Sequence, residues 1–429
     1  MSSSIPPLIK RNTIYFALTQ ALQGAQGQLS ITLGALMVTR LLGSAALAGI
    51  GGSLLNLSRF LVAYPTGKVT DTFGRKAGTL MGLVLGLVGG TMLGMSIVVS
   101  SFALFIAGIT VLGLGFGASQ QLRVAAVDMY PPARRAEGLG YVLTGSVLGA
   151  FVAPLLVAGA EQVAARTGGE SLAITWFLMP LALVPAMVFT LMVHPDPKTI
   201  AANLKQFWPG YEPPARAQAQ ASSKSGVGAF LRDESKQVAF ASYAAAQGTM
   251  TMMMVMTPLA MAHSGHSLAA TSLAISVHIV GMYLFSVPFG RLADRIGRKP
   301  LLWLGLLAQA AGAVMAPATP IYWVMTLGLF LVGLGWSAVN VGATTVLADT
   351  TAPHERGRAV GANDAIAGAF GVLTPLAGGL VAEASGHMAV GLMGAVVAAL
   401  PLLVMFRLHE ARPGEYGVRV AEGQEIRQG

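Results

Sequence analysis

Twelve runs of about twenty mostly apolar residues follow one another along this chain, and that series constrains the fold more than any other feature. A hydrocarbon layer about 30 Å thick takes roughly 20 apolar residues per helical crossing. The runs lie at roughly 13–39, 44–65, 77–100, 102–127, 137–160, 170–193, 237–262, 267–289, 300–316, 320–347, 358–383 and 386–407. Of the 429 residues only 10% are charged, while 54% are hydrophobic. A soluble chain cannot hide so much apolar surface behind so few charges. The expected fold class is therefore all-α and integral to a membrane, with twelve transmembrane helices. Soluble enzymes, nucleic-acid binders and disordered scaffolds are excluded. The absence of cysteine removes disulfides, thiolate metal centres and cysteine nucleophiles. The start, MSSSIPPLIKRN, is short and basic, and the apolar run after it is long and lacks a cleavage site, so no signal peptide is expected.

The basic residues give the orientation. With the N-terminus in the cytoplasm, 23 of the 27 Lys and Arg fall on cytoplasmic segments. Arg40 and Arg166 lie on the other side, and Arg59 and Arg123 lie inside helices. The last two are expected to pair with Asp128 or to snorkel to the cytoplasmic interface. The positive-inside rule then places both termini in the cytoplasm. The net charge of +9 is a topology signal, and nucleic acid is not an expected partner.

The chain also repeats itself. GKVTDTFGRK at 67–76 matches GRLADRIGRK at 290–299, and DMYPPARRAEGLG at 128–140 matches DTTAPHERGRAVG at 349–361. Pro154 matches Pro375 at nearly the same offset. The polar stretch 194–236, rich in Pro, Gly, Ser and Gln, separates the copies as a linker with room for a short interfacial helix. The expected organisation is a six-helix bundle over 1–193, a cytoplasmic linker over 194–236, and a second bundle with a short tail over 237–429. Parallel six-helix repeats place a substrate site near the midplane.

Gly-x-x-x-Asp-x-x-Gly-Arg-Lys after the second run, duplicated after the eighth, resembles the signature loop of the major facilitator superfamily. Twelve helices, a central linker and the loop after the fourth helix extend the resemblance over nearly the whole chain. It implies a secondary transporter working by alternating access, monomeric, in a bacterial inner membrane. In the loop, Gly67 and Gly74 permit a tight turn and close helix approach. Asp71 is placed to pair with Arg75 and to face a helix N-terminus, that of the eleventh helix, with Asp128 as a second acceptor. Gly290, Asp294, Gly297, Arg298 and Asp349 form the equivalent set. In the family such clusters latch the outward-facing state; the plainer reading is of anchoring loop charges. Proton-driven drug exporters of the family carry an Arg before a Gly-rich run in helix 4, where this chain has Ile109 before Gly113, Gly115 and Gly117. Their Gly-x-x-x-Gly-Pro pattern is matched only in part, by Gly149 and Pro154.

The seventh and eighth runs hold the least ordinary residues. Residues 250–256 read MTMMMVM, and His278 is followed four residues later by Met282. Met250 and Met254 share one helix face, as do His278 and Met282. Counted from the turn near 263–266, Met254 and His278 lie about 12–16 Å deep, close to the midplane. Thioether and imidazole suit Cu(I), and an imidazole at that depth flags a functional site. The alternatives are methionine as ordinary filler and a histidine that is structural or carries a proton. Met-x-x-x-Met followed by His-x-x-x-Met resembles the CcoA-like copper-importing branch, which implies copper-ligand roles for Met250, Met254, His278 and Met282. Met252 and Met256 form a competing pair on another face. Relatives with these motifs also carry organic substrates such as riboflavin, so a proton-coupled transporter or exporter of a small organic solute is the alternative.

Three further candidates complete the reading. Gln20, Gln23 and Gly27 fall on one stripe of the first helix, suited either to lining a cavity or to gluing helices together. Asp364, at the start of the eleventh helix, is a candidate for proton coupling or for an N-terminal cap. Arg123 is the third. No Walker A loop is present, no cofactor is implied, and the clustered acids or Ser–His partners of a membrane enzyme are missing, so an enzyme is not expected. The expected partners are the lipid bilayer and a small-molecule or metal-ion substrate.

Overall fold

A computed structural model describes residues 5–131, 134–209, 211, 232–351 and 356–408. Among them the chain is helical, with no strand. Helix α1 (Pro7–Leu42) opens on a proline, whose missing N–H costs nothing in a first turn, and closes on Gly43 in the left-handed region. Helix α2 (Gly49–Phe73) leads through Gly74 into α3 (Arg75–Val98). Helix α4 (Phe102–Ser119), capped by the Ser101 hydroxyl, bends at Gln120 into α5 (Gln121–Asp128). Then come α6 (Arg135–Thr167), α7 (Ser171–Met192), and the short α8 (Pro197–Ala202) and α9 (Leu204–Phe207). The second half holds α10 (Glu234–His263), α11 (Leu268–Leu284), α12 (Ser286–Ile296) and α13 (Arg298–Met315). Helix α14 (Tyr322–Thr350) precedes α15 (Arg356–Ala399), which breaks at Gly386 and ends in a 3-10 stretch, Leu400–Arg407.

The twelve expected runs all lie on these helices. The fourth is shared by α4 and α5, the eighth by α11 and α12, and the last two lie either side of the Gly386 break. Among the described residues six helices are long and apolar enough to cross a membrane, or seven if the α11–α12 pair, bent by 43°, forms one span. The remaining runs lie on α1, α2, α10 and α13, which carry internal amides, hydroxyls or basic residues. Such polar groups persist in a membrane helix only where they find partners or serve a function. Phe60, Leu155, Trp323 and Leu403 stand exposed on helix flanks, as an apolar solvent requires.

The chain divides into two compact units. Unit 1 comprises Met1–Ser44, Ile50–Ala217 and His266–Ser276; unit 2 comprises Ala45–Gly49, Gln218–Gly265 and Val277–Gly429. In unit 1, α3 and α4 approach closely because both are glycine-rich: a Cβ on Gly82 would lie 2.6 Å from the Gly115 carbonyl oxygen. The first part of the linker is docked on the same unit. Ile200, Leu204 and Trp208 are buried with Ile9, Phe16, Leu122 and Tyr130. The Trp208 indole N–H donates to the Met129 carbonyl at 2.9 Å, and the Arg134 guanidinium lies 5.0 Å from its ring centre. Most of the remaining linker, 212–231, and the tail, 409–429, lie outside the described residues.

Candidate functional site

Both copies of the Gly-Arg-Lys loop build an ion-paired cluster. In unit 1, Arg75 Nε lies 2.7 Å from Asp128 Oδ2, and its Nη1 lies 3.2 Å from Asp71 Oδ1. In unit 2, Arg298 Nε lies 3.1 Å from Asp349 Oδ2, and its Nη2 lies 3.3 Å from Asp294 Oδ1. The arginines reach back because Gly74 and Gly297 sit at φ of +95° and +97°, where an L side chain is strained. Gly67 and Gly290 differ from expectation. Both lie inside helices with open space where a Cβ would stand, so neither turn nor packing demands glycine there.

The helix N-terminus expected to face Asp71 begins beside residues 352–355, which lie outside the described residues. A carboxylate that sequence reasoning missed does cap a helix here. Asp196 accepts from the backbone N–H groups of Arg75 and Lys76, both at 3.1 Å, at the start of α3. It also accepts from Lys198 N at 2.9 Å, starting α8. Lys198 Nζ donates to the Asp71 carbonyl oxygen, and Lys76 Nζ to Val193 O at 2.7 Å.

The amides of α1 separate into two kinds. Gln20 donates to Ser146 Oγ at 2.9 Å, Gln26 to Gly86 O at 2.8 Å, and Gln28 to Ser272 O at 2.9 Å and Ser276 Oγ at 3.0 Å. These three join helices. Gln23 is 2% exposed, and neither its Oε1 nor its Nε2 has a hydrogen-bond partner.

The two intrahelical arginines differ from the first expected alternative, pairing with Asp128. Asp128 is held by Arg75, and Arg59, ten residues into α2, lies over the Phe116 ring at 4.7 Å and donates to Asn56 Oδ1 at 3.4 Å. Arg123 is half-buried on α5, and its Nε is buried without a partner. Asp364 is exposed on α15, whose first residue is Arg356, so it stands in the third turn and cannot be the N-cap.

Met250, Met254, His278 and Met282 are all buried in unit 2. The His278 Nδ1–H donates to Leu329 O at 2.7 Å, and Nε2 is buried with no partner. The competing thioethers face elsewhere: Met252 and Met256 rest against Gly378 of α15, where a Cβ would lie 2.8 Å from Met252 Cγ. Among the described residues no three His, Cys, Asp or Glu gather as a metal site, so a Cu(I) site here would rest on thioethers and one imidazole.

Two arrangements went unforeseen. In unit 2 the Trp336 indole N–H donates to Gln247 Oε1 at 2.9 Å, with Tyr243 and Tyr283 at ring distances of 6.4 and 6.3 Å. Three helices, α10, α11 and α14, thus meet at the Trp336 ring, with Tyr243 tilted by 43° and Tyr283 edge-on at 70°. The second is a duplicated carboxylate cap. In unit 1, Glu161 accepts from Leu268 N at 2.9 Å and Ala269 N at 3.4 Å, at the start of α11. In unit 2, Glu383 accepts from Ala45 N at 2.8 Å and Ala46 N at 3.1 Å, just before α2. The two glutamates are separated by the repeat offset, a signal that was open to sequence reading.

Comparison with known proteins agrees with this architecture. The family profile described as Major Facilitator Superfamily matches residues 16–235 and 238–427. The MFS-type transporter YdeG of Bacillus subtilis (strain 168) is 28% identical over 409 residues, covering 93% of each chain. The riboflavin transporter RfnT of Brucella anthropi is 27% identical over 362 residues, covering 83% of this chain and 85% of its own. Among solved structures, a point mutant of the nucleoside transporter NupG superposes with a TM-score of 0.70 at 16% identity, covering 92% of this chain and 99% of its own, a likeness of fold alone.

Proposed function

The chain belongs to the major facilitator superfamily of membrane transporters, and from that premise we propose that it carries a small, flat organic solute by alternating access, with both termini in the cytoplasm. The observation that carries this reading is the Gln247–Trp336 pair flanked by Tyr243 and Tyr283. Three aromatic rings gathered beside one amide suit contact with a planar ring system. Gln247 Oε1 accepts from the indole, and its NH2 group can donate to a ligand. Likeness to a riboflavin transporter supports the same solute class. The basic residues on the assigned cytoplasmic segments support the orientation.

A second reading, Cu(I) as the substrate, is favoured by one observation. A His278 imidazole anchored through Nδ1–H presents Nε2 as a buried lone pair, the arrangement that orients a metal-ligating histidine. Proteoliposomes holding the full chain separate the two. Riboflavin uptake that Trp336→Ala abolishes and His278→Ala spares supports the organic solute. Cu(I) uptake with the opposite dependence, and no riboflavin uptake, overturns it in favour of the metal.

A further inference from the structure

Gln23 is the polar side chain of α1 with no structural work to do. It stands sixteen residues after Pro7 and nineteen before Leu42, near the middle of the helix. Its three neighbours in the amide series join helices, yet its own carboxamide is buried with both N–H and C=O unspent. A buried amide without partners is costly enough that it normally marks a missing partner.

The surroundings say what that partner resembles. Gly27 lies four residues on, on the same face. Phe116 closes on it so tightly that a Cβ there would lie 2.4 Å from the ring. Phe116 is itself half-buried, and on it lies the Arg59 guanidinium, ten residues into α2. An aromatic ring backed by a cation, at mid-helix in a membrane protein, is a polarised flat surface. One turn from it sits an amide offering a donor and an acceptor side by side. A carboxamide meets its complement two bonds at a time, on an edge that carries an N–H next to an acceptor, as glutamine does on the edge of adenine.

We infer that Gln23, beside the Arg59-backed ring of Phe116, is a recognition site in unit 1 for a flat ring bearing a lactam or imide edge, an N–H flanked by a carbonyl. This rests on the organic-solute reading above and names the chemical feature of the solute that unit 1 reads. A carboxylate is a poor fit, since it has no donor for the Gln23 carbonyl; a purely aliphatic solute leaves the amide unpaired.

The test uses the full-length protein in lipid nanodiscs and two probes that share the imide edge on different bodies, riboflavin and thymidine. Each is compared with its N3-methyl derivative, which keeps the ring and loses the N–H. Binding of the unmethylated probes is expected to be saturable, and methylation to weaken it at least about tenfold, because the amide then loses a hydrogen bond in a dry site. Gln23→Leu is expected to lower affinity for the unmethylated probes to that of the methylated ones, which it leaves unchanged. If that variant does not fold, Gln23→Met, which keeps the volume, takes its place. Equal binding of methylated and unmethylated probes to the wild type overturns this inference and leaves the organic-solute reading standing. Absence of binding by both unmethylated probes overturns the two together.

Discussion

The loop over 67–76 and its copy over 290–299 share their charges but not their support. In each, an arginine two-fold bonded to acids sits just past a positive-φ glycine. Their burial differs: the Arg75 side chain is 19% exposed and that of Arg298 8%. So does their third partner. Arg75 Nη1 also donates to the Thr70 hydroxyl at 3.2 Å, while Arg298 Nη1 donates to the Ala293 carbonyl at 3.1 Å. Thr70 and Ala293 are equivalent positions, so a side-chain acceptor in one copy is answered by a backbone acceptor in the other. The unit 1 loop is further tied to the linker through Asp196 and Lys198. Duplication has preserved the ion pairs and let their scaffolding diverge. One cluster is held by burial, the other by a strap.

Removing the arginines gives the largest effect and tests burial directly. Arg298→Ala empties the more deeply buried guanidinium site and takes the donor from the Ala293 carbonyl, and is expected to cost about 3 kcal/mol, against about 2 kcal/mol for Arg75→Ala. Thermal unfolding in one detergent would rank them, and a larger loss at Arg75 would break the comparison. Next comes the strap. Asp196→Ala uncaps α3 and α8 together and is expected to cost about 1–2 kcal/mol, with Asp196→Asn restoring most of it. Limited proteolysis within 194–211 should speed up with the loss of the cap. If Asp196→Ala changes neither stability nor proteolysis, the strap carries no load.

What could be read from the residues, and what could not, follows sequence distance. The apolar runs, the repeat and both Arg–Asp triads were legible because each is written as a local pattern or a duplicated one. Asp196 was not, because it caps a helix 121 residues away. Gln247 and Trp336 are 89 residues apart, with no shared period to link them. The amides of α1 show the limit most clearly: Gln20, Gln23, Gln26 and Gln28 are one residue type on one helix, and only the neighbours supplied by α3, α6 and α11 decide which one is left unpaired. Asp364 was misplaced by a helix start that lies nine residues earlier than a cap would need.

The smallest expected change in stability belongs to the acids at the loop tips, and it bears most on function. Asp71 and Asp294 are 74% and 73% exposed, so their bonds to Arg75 and Arg298 are screened by solvent. Asp71→Asn and Asp294→Asn are each expected to cost less than about 0.5 kcal/mol. The latch reading requires more of Asp71 than stability. Without its charge the loop should hold the outward-facing state less well, shifting the protein toward the inward-facing one. Single cysteines are readily placed in a chain that has none, and labelling them from the outer side reads that shift. Asp294→Asn serves as the control, because its arginine is more deeply buried and keeps Asp349 and the Ala293 carbonyl. The comparison therefore predicts reduced outer-side labelling and slower transport for Asp71→Asn, with a weaker effect for Asp294→Asn. Unchanged labelling with full transport in both variants would reduce these carboxylates to loop anchors, leaving Arg75, Asp128, Arg298 and Asp349 as the only parts of the duplicated clusters with mechanical consequence.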